Sequence, residues 1–366
     1  MPNTKLKILV SCLTVLLFTI SAKVSGAENK LINQPSDISH RAVQSVMLAM
    51  DNAGSNQIVV GERGFILLSN DNGGNWKQIQ SPVSVTLTSV DFVSPNKGWI
   101  VGHGGVVLKT IDGGNSWTKI LDGSKAAKIE LKAAKAVHDP KNRRSKMRLR
   151  EAEYSVKSGA DKPFLNVHFS DEKHGTIVGA YGLAFTTNDG GESWKSIMGR
   201  VPNTYGMHLY DIHVQGERTY LLGEQGSLFR SKNDGSTFER IDIDYEGSFF
   251  GMVASDQADL VLFGLRGHIF RSTNAGDNWQ DMSLSLPITL TSGTLLKDGG
   301  IILIDETGQV LLSRDQGKSF SRIKVATPSA FTDVIETPTG DLLLSGIRGI
   351  SRISVENLNV KVTGNE

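Results

Sequence analysis

The chain is almost without cysteine: of 366 residues only Cys12 carries a thiol. That residue lies in a stretch with the form of a secretion signal. Lys5 and Lys7 give a basic start, Ile8 to Ile20 an apolar run, and Ser25-Gly26-Ala27 a small-residue cleavage site. The run is about 13 residues long, short of the roughly 20 that a spanning helix needs. Residues 1–27 are therefore expected to be a signal peptide, and the protein to be periplasmic or secreted. An uncleaved N-terminal anchor facing the periplasm is the alternative. Leu9-Val10-Ser11-Cys12 has the residue types of a lipid-attachment site but leaves too short an apolar core before the cysteine. Cleavage after Ala27 leaves residues 28–366 with no thiol, which excludes disulfides, thiolate zinc ligands and a cysteine nucleophile from the mature chain.

Net charge is missing as well. Lys and Arg number 39 against 38 Asp and Glu, so the whole surface is no electrostatic binder of nucleic acid. There is no Gly-x-Ser-x-Gly elbow, no phosphate-cradling loop and no paired-histidine metal motif. His168, His174, His208, His213 and His268 are scattered, as packed or hydrogen-bonded side chains would be. No cofactor or metal site is expected.

What the chain has in abundance is repetition. A box of the form Ser/Thr-x-Asp-x-Gly-x-x-Trp occurs six times, at Ser69–Trp76, Thr110–Trp117, Thr187–Trp194, Ser231–Phe238, Ser272–Trp279 and Ser313–Phe320. The starts advance by 41, 77, 44, 41 and 41 residues. A period near 40 built from short strands and tight turns is the spacing of a β-propeller blade. Each box follows an apolar run broken by Gly-x-x-Gly, and these turns number seven when Asp305-Glu306-Thr307-Gly308 and Gly346-Ile347-Arg348-Gly349 are included. The fold class expected is all-β: one seven-bladed propeller over 28–366, with four antiparallel strands per blade. The box belongs on the hairpin between third and outer strands. Its acidic position (Asp71, Asp112, Asp189, Asn233, Asn274, Asp315) would accept backbone N–H groups. Its aromatic (Trp76, Trp117, Trp194, Phe238, Trp279, Phe320) would wedge between blades. The last blade lacks a box, and Lys30 to Ala42 is expected to supply its outer strand, with Asn357 to Val362 as the other source.

The step of 77 residues contains an insertion, Ser124 to Lys162, that reads as helix and holds 12 basic against 5 acidic side chains. Arg143, Arg144, Arg148 and Arg150 make it a candidate for an anionic lipid surface or an acidic protein, a solvated hairpin being the plain alternative. Loops of a four-stranded blade alternate between faces, which puts this insertion and the Gly-x-x-Gly turns together and the boxes on the opposite rim. Within the turns Arg63, Arg266 and Arg348 share one slot, with His103, Tyr181, Gln225 and Thr307 in or near it elsewhere. Three guanidinium groups at one level suit a carboxylate, a phosphate or an acidic loop.

Boxes of this type also occur in sialidases, which need an arginine triad, a Tyr–Glu nucleophile pair, an Asp acid and an Arg-Ile-Pro element. Arg-Ile-Pro is absent here, and Tyr181 with Glu62 or Glu224 makes only an improvised set. A sialidase-like glycoside hydrolase or a glycan-binding lectin-like module is thus the alternative function. The run Val101 to Trp117 and its counterparts in the third and fourth blades resemble the photosystem II stability/assembly factor family. The resemblance spans about residues 40–355. Lys162-Pro163-Phe164-Leu165, Val178 to Gly182 and Gly223 to Gly226 look like its secreted proteobacterial members. It implies a non-enzymatic scaffold or assembly factor for a membrane protein complex, with Arg63, Arg266 and Arg348 matching an arginine patch. The partner implied is a photosystem-like assembly or a resistance-nodulation-division type exporter.

Overall fold

The computed structural model describes residues 30–255, 259–285 and 287–354; the signal expected over 1–27 lies outside them. Seven antiparallel sheets follow one another along the chain, six of four strands and the last of three. Their inner strands are Met47–Ala53, Leu87–Phe92, Phe164–Phe169, Leu209–Gln215, Phe249–Ala254, Leu290–Leu295 and Phe331–Glu336. Each packs beside the next, and the seventh returns to the first, closing a propeller.

Burial follows from this arrangement. A blade sandwiched between two others has no solvent face, so its second strand is an unbroken apolar run rather than an alternating one. Gly98–Gly102, Ile301–Asp305 and Leu342–Gly346 are buried at every residue. The outer strands are short and wet, as at Glu239–Arg240 and Gln280–Asp281.

Each box closes the hairpin before an outer strand. Ser69 Oγ accepts the Gly73 N–H at 2.9 Å and donates to Asp71 Oδ1 at 2.8 Å, which in turn accepts the Asn75 N–H at 2.8 Å. The carboxylate bond recurs at Asp112, Asp189 and Asp315, and the amides of Asn233 and Asn274 replace it with Thr237 and Asn278 as donors. Bonds to the ionised form hold the Asp71 and Asp189 carboxyls down at about 2, those from Asn75 and from Ser193 counting most. The aromatic that follows reaches the neighbouring blade. Trp117 meets Phe92 of its own blade edge-on at 5.9 Å within a cluster that takes in Ile58 and Leu68 of the first blade, and Trp76 packs in the cluster of Leu343 from the seventh.

The Gly-x-x-Gly turns join second to third strands. The amide after the first glycine bonds the carbonyl just before the inner strand, as in Glu62 N–H to Val46 O at 3.0 Å and Leu265 N–H to Ser248 O at 3.0 Å. That approach leaves no room for a side chain: a Cβ on Gly61 would sit 2.2 Å from the Val46 oxygen. Gly64 has φ of 72°, and its Cβ would lie 2.1 Å from the Val83 oxygen in the connection to the next blade.

The expected outer strand for the last blade is not where the sequence suggested. Residues 30–42 lie instead along the first blade's outer edge and the connection into the second. Ser84 N–H bonds Leu31 O at 2.9 Å, Ser36 N–H bonds Ser81 O at 2.9 Å, and Lys119 donates to Ile32 O at 2.7 Å. Ile32, 4% exposed, fills the space over Gly104. The segment thus buries Ile32 beside the first two blades and, at its end, Ala42 in the cluster that includes Leu343 of the seventh. Asn357 to Val362 lie outside the described residues. The ring is joined from within. Asp333 of the seventh blade accepts the Met50 N–H of the first at 2.9 Å, Thr332 donates to Met47 O at 2.7 Å, and Asn52 donates to Glu336 O at 2.9 Å.

The insertion forms two packed helices, α1 (Gly123–Ala136) and α2 (Arg143–Ser158). Asp122 and Asn142 cap them by accepting the N–H groups of Lys125 and Ser145, each at 3.0 Å.

Asp333→Ala removes the acceptor at the ring joint and strands the Met50 N–H and the Ser292 hydroxyl. We expect about 1–3 kcal/mol of lost stability in denaturant unfolding, with Asp333→Asn, which keeps an acceptor, losing less. Equal midpoints for wild type and Asp333→Ala would remove this joint from the account of closure.

Candidate partner-binding face and central channel

Turns and insertion share one face. A Cβ on Gly105 of the second blade's turn would lie 2.6 Å from the Gly123 Cα, and the ammonium of Lys162 sits 5.3 Å from the Tyr181 ring centroid. In the third slot of the turns, Arg63, Tyr181, Gln225 and Arg266 take φ between 51° and 59°, which turns their side chains out of the sheet. Glycine, Gly104, occupies that slot in the second blade, and His103 beside it is exposed. Arg348 and Thr307 are exposed in the same slot of the seventh and sixth blades. Among the described residues none of Arg63, Arg266 and Arg348 enters an ion pair, so three guanidinium groups stand free on blades 1, 5 and 7.

Blades 3 to 5 give the face a different character. Every inner strand has a register break after its first residue, a bulge that presents the second residue at the channel mouth. In blades 2, 6 and 7 that residue is a threonine that bonds the next inner strand, as Thr88 does to Phe164 O at 2.8 Å. In blades 3, 4 and 5 it is Leu165, Tyr210 and Phe250, and in blade 1 it is Leu48; these line the cavity without such a bond. Aromatic rings continue outward from there: Phe250 to Tyr210 at 5.3 Å, Tyr210 to His208 at 6.3 Å, His208 to Tyr181 at 4.9 Å. Tyr181 and Tyr205 are 56% and 83% exposed. An aromatic arc therefore runs from rim to mouth over blades 3 to 5, and it meets the arginines of blades 1, 5 and 7 at blade 5, which carries both Phe250 and Arg266.

Glu224 is tied into this arc. It accepts the His208 N–H at 2.8 Å, approaches His208 Nδ1 at 2.9 Å, and accepts from Tyr210 at 3.2 Å. Glu62 and Glu306 hold the N–H groups of Val46 and Thr289 in the same way. Burial, reinforced by the Glu224 charge, pushes the Tyr210 hydroxyl up to about 12. A phenol that holds its proton so firmly is a poor nucleophile.

The mouth opens into a cavity of about 340 Å³ lined by all seven inner strands. Sequence reasoning passed over its carboxylates. Asp51 accepts the Phe92 N–H and Asp91 the Phe169 N–H, each at 2.6 Å, and Asp211 accepts the Met252 N–H at 3.2 Å. Each bond crosses from one blade to the next. Desolvation dominates these groups, raising Asp91 and Asp211 to about 7 and Asp333 to about 6, and Asp51 likewise upward. His213 is pushed down to about 4 by burial and then by His168. Among the described residues no group of three or more His, Cys, Asp or Glu is placed to hold a metal ion.

The insertion arginines divide. Arg148 turns inward to grip the buried Glu130 with two bonds, at 2.7 and 3.0 Å, and Ser196 of the third blade bonds the same carboxylate. Arg144, though exposed, donates to Val201 O at 3.2 Å. These two anchor the helices, while Arg143 and Arg150 reach solvent. The box residues sit on the opposite rim, away from this face: a Cβ on Gly113 would approach Pro95 O in the first-to-second-strand turn.

Comparison with known proteins gives a consistent picture. The sequence profile of the family described as photosynthesis system II assembly factor YCF48 matches residues 29–129 and 146–286. The photosystem II assembly lipoprotein Ycf48 of Synechococcus sp. (strain CC9902) is 30% identical over 80 residues, 22% of this chain and 24% of that protein. This chain thus matches only about a quarter of that relative's length. A solved structure of YCF48 bound to D1 peptide superposes with a TM-score of 0.62 at 18% identity, covering 86% of this chain and 94% of its own. The GH74 xyloglucanase of Xanthomonas campestris reaches 0.62 at 11% identity over 88% of this chain and 54% of its own, a likeness of fold alone.

A carboxyl whose folded pKa stands above its unfolded value binds its proton more tightly in the folded state. The contribution of Asp211 is therefore complete below about pH 4 and lost as pH rises through 7. Asp211→Asn should narrow the loss of unfolding free energy between pH 4 and 8 by on the order of 1–4 kcal/mol relative to wild type. Parallel pH profiles for the two proteins would contradict a buried, protonated carboxyl there.

Proposed function

The chain belongs to the YCF48 family of photosynthesis system II assembly factors, and we propose that it is a non-catalytic scaffold that docks a polypeptide of a membrane protein complex on its turn face. The observation that carries this reading is the division of that face. Free guanidinium groups on blades 1, 5 and 7 offer planar forks to carboxylates, and the arc from Tyr181 to Phe250 offers a rigid apolar strip leading to the mouth. An extended segment with acidic and aromatic or aliphatic side chains fits both. The relative solved with a D1 peptide supports a polypeptide partner. No comparison supports an exporter. We place the work outside the cytoplasm, on the secretion signal read in residues 1–27.

A hydrolase reading finds less support. Among the described residues the phenol hydrogen-bonded to Glu224 is that of Tyr210, whose proton affinity is raised, and no bond joins Glu224 to Tyr181.

The test is charge reversal combined with crosslinking in intact cells. A photocrosslinking residue at Gln225 should capture a polypeptide of a membrane complex. The triple variant R63E/R266E/R348E should reduce that capture at least about tenfold, three charge-assisted contacts being lost, with an unchanged circular dichroism spectrum. Unchanged capture of the same polypeptide by the triple variant would refute the docking face.

A further inference from the structure

Helix α2 carries a surface the propeller does not use. Its inner side buries Ala152 and directs Arg148 to Glu130. Its outer side shows Arg143, Met147, Arg150, Tyr154 and Lys157, spaced by four, three, four and three residues, so that all five fall on one stripe. Met147 is 45% exposed and Tyr154 61%, and the three cations are exposed beside them. Two acidic neighbours, Glu151 and Glu153, lie on the two flanks, Glu151 at 3.6 Å from Arg150, and both are in water. Exposed Lys125, Lys128, Lys132 and Lys135 form a second basic stripe on α1. The hairpin is held firmly: Glu130 joins α1, α2 and Ser196, and Arg144 reaches Val201.

We propose that this stripe of α2 rests on an anionic phospholipid surface, with Arg143, Arg150 and Lys157 among the headgroups and Met147 and Tyr154 in the interface. The pattern is that of an interfacial helix, where cations reach phosphates while their alkyl stems and a neighbouring aromatic ring settle at the acyl boundary. Charge selects the surface: between Ser124 and Lys162 the 12 basic side chains outnumber the 5 acidic, and Glu130 among the latter is already neutralised by Arg148. An acidic protein partner would use the arginines but gives no reason for a methionine and a tyrosine at the centre of the stripe. Among the described residues no helix is long and apolar enough to cross a membrane, so the contact is peripheral. The inference extends the membrane-complex reading but uses none of the turn-face residues, so either can fail alone.

Flotation of the secreted chain, residues 28–366, with phosphatidylcholine vesicles with and without phosphatidylglycerol tests it. Wild type should float only with the anionic vesicles and release as salt rises. R143E/R150E/K157E should lower the apparent affinity at least about tenfold. M147S/Y154S, with charge unchanged, should lower it several-fold, and a Y154W probe should shift its emission to the blue on binding. Circular dichroism and thermal midpoints check that each variant is folded. Absence of wild-type flotation, equal flotation of the charge-reversed protein, or a Y154W emission that stays put would each overturn the proposal. Retained capture at the turn face by the same charge-reversed protein would show that the docking reading stands independently.

Discussion

Neighbouring blades meet only through side chains, because each sheet has its own hydrogen-bond ladder and its inner strand is an edge. What ties those edges together is a forward bond from one inner strand to the next. Asp51 reaches the amide of Phe92, Asp91 that of Phe169, Asp211 that of Met252, and Asp333 that of Met50. The bulge threonines of blades 2, 6 and 7 bond the next strand's carbonyl, a second tie after blades 2 and 7 and the forward tie after blade 6. Between blades 5 and 6 packing replaces bonding, with Phe263 against the glycines Gly251 and Gly293. The seventh joint carries the same carboxylate-to-amide bond as the joints after blades 1, 2 and 4, so first and last blades are tied without a strand exchanged between the termini. The N-terminal segment is free to brace the first two blades instead.

This inner frame leaves one end of the disc available. The second-strand turns are fixed by backbone bonds to the start of the inner strands, so the side chain in their third slot has no packing duty. A left-handed backbone there does not by itself mark function, since Asn72, Asp234, Ala275 and Gln316 adopt it in the box hairpins as well. What distinguishes the turn face is chemistry: guanidinium groups on blades 1, 5 and 7, aromatic rings over blades 3 to 5, and a braced basic hairpin at its edge.

The architecture was legible because repetition is. Box spacing gave the period, the turn series gave the seventh blade, and the expected insertion of 124–162 contains helices at 123–136 and 143–158. Ring closure was not legible, because it depends on which inner-strand residues face the channel. The signal was present all the same. Asp51 and Asp91 occupy the same place in Met47-Leu-Ala-Met-Asp and Leu87-Thr-Ser-Val-Asp, polar residues at a fixed register of otherwise apolar strands. Arg148 illustrates a second limit. A run of arginines does not say which one points inward, but helical phase does: Glu130 lies with buried Ala126, Ala127 and Ala134, and Arg148 lies one turn before buried Ala152. A buried glutamate on a lysine-rich helix calls for a partner, and Arg148 is the arginine in phase to supply it.

The channel and the face above it are electrostatically linked. Asp211 and Asp333 occupy the third residue of their inner strands and Asp51 and Asp91 the fifth, so they lie on the order of 7 and 13 Å along the strand from its mouth-side start. The nearer pair falls within a Debye length of the mouth at physiological salt, about 8 Å. Fully ionised carboxylates there would cancel much of the field of Arg63, Arg266 and Arg348. Desolvation raises Asp211 to about 7 and Asp333 to about 6, so that a share of the channel charge is absent at neutrality and more of it as pH falls. The burial that places each carboxyl between blades also lessens its charge beneath the guanidinium groups of the surface. One feature, a carboxyl set between two edge strands at the channel wall, thus bears on both the integrity of the ring and the charge beneath its exposed face.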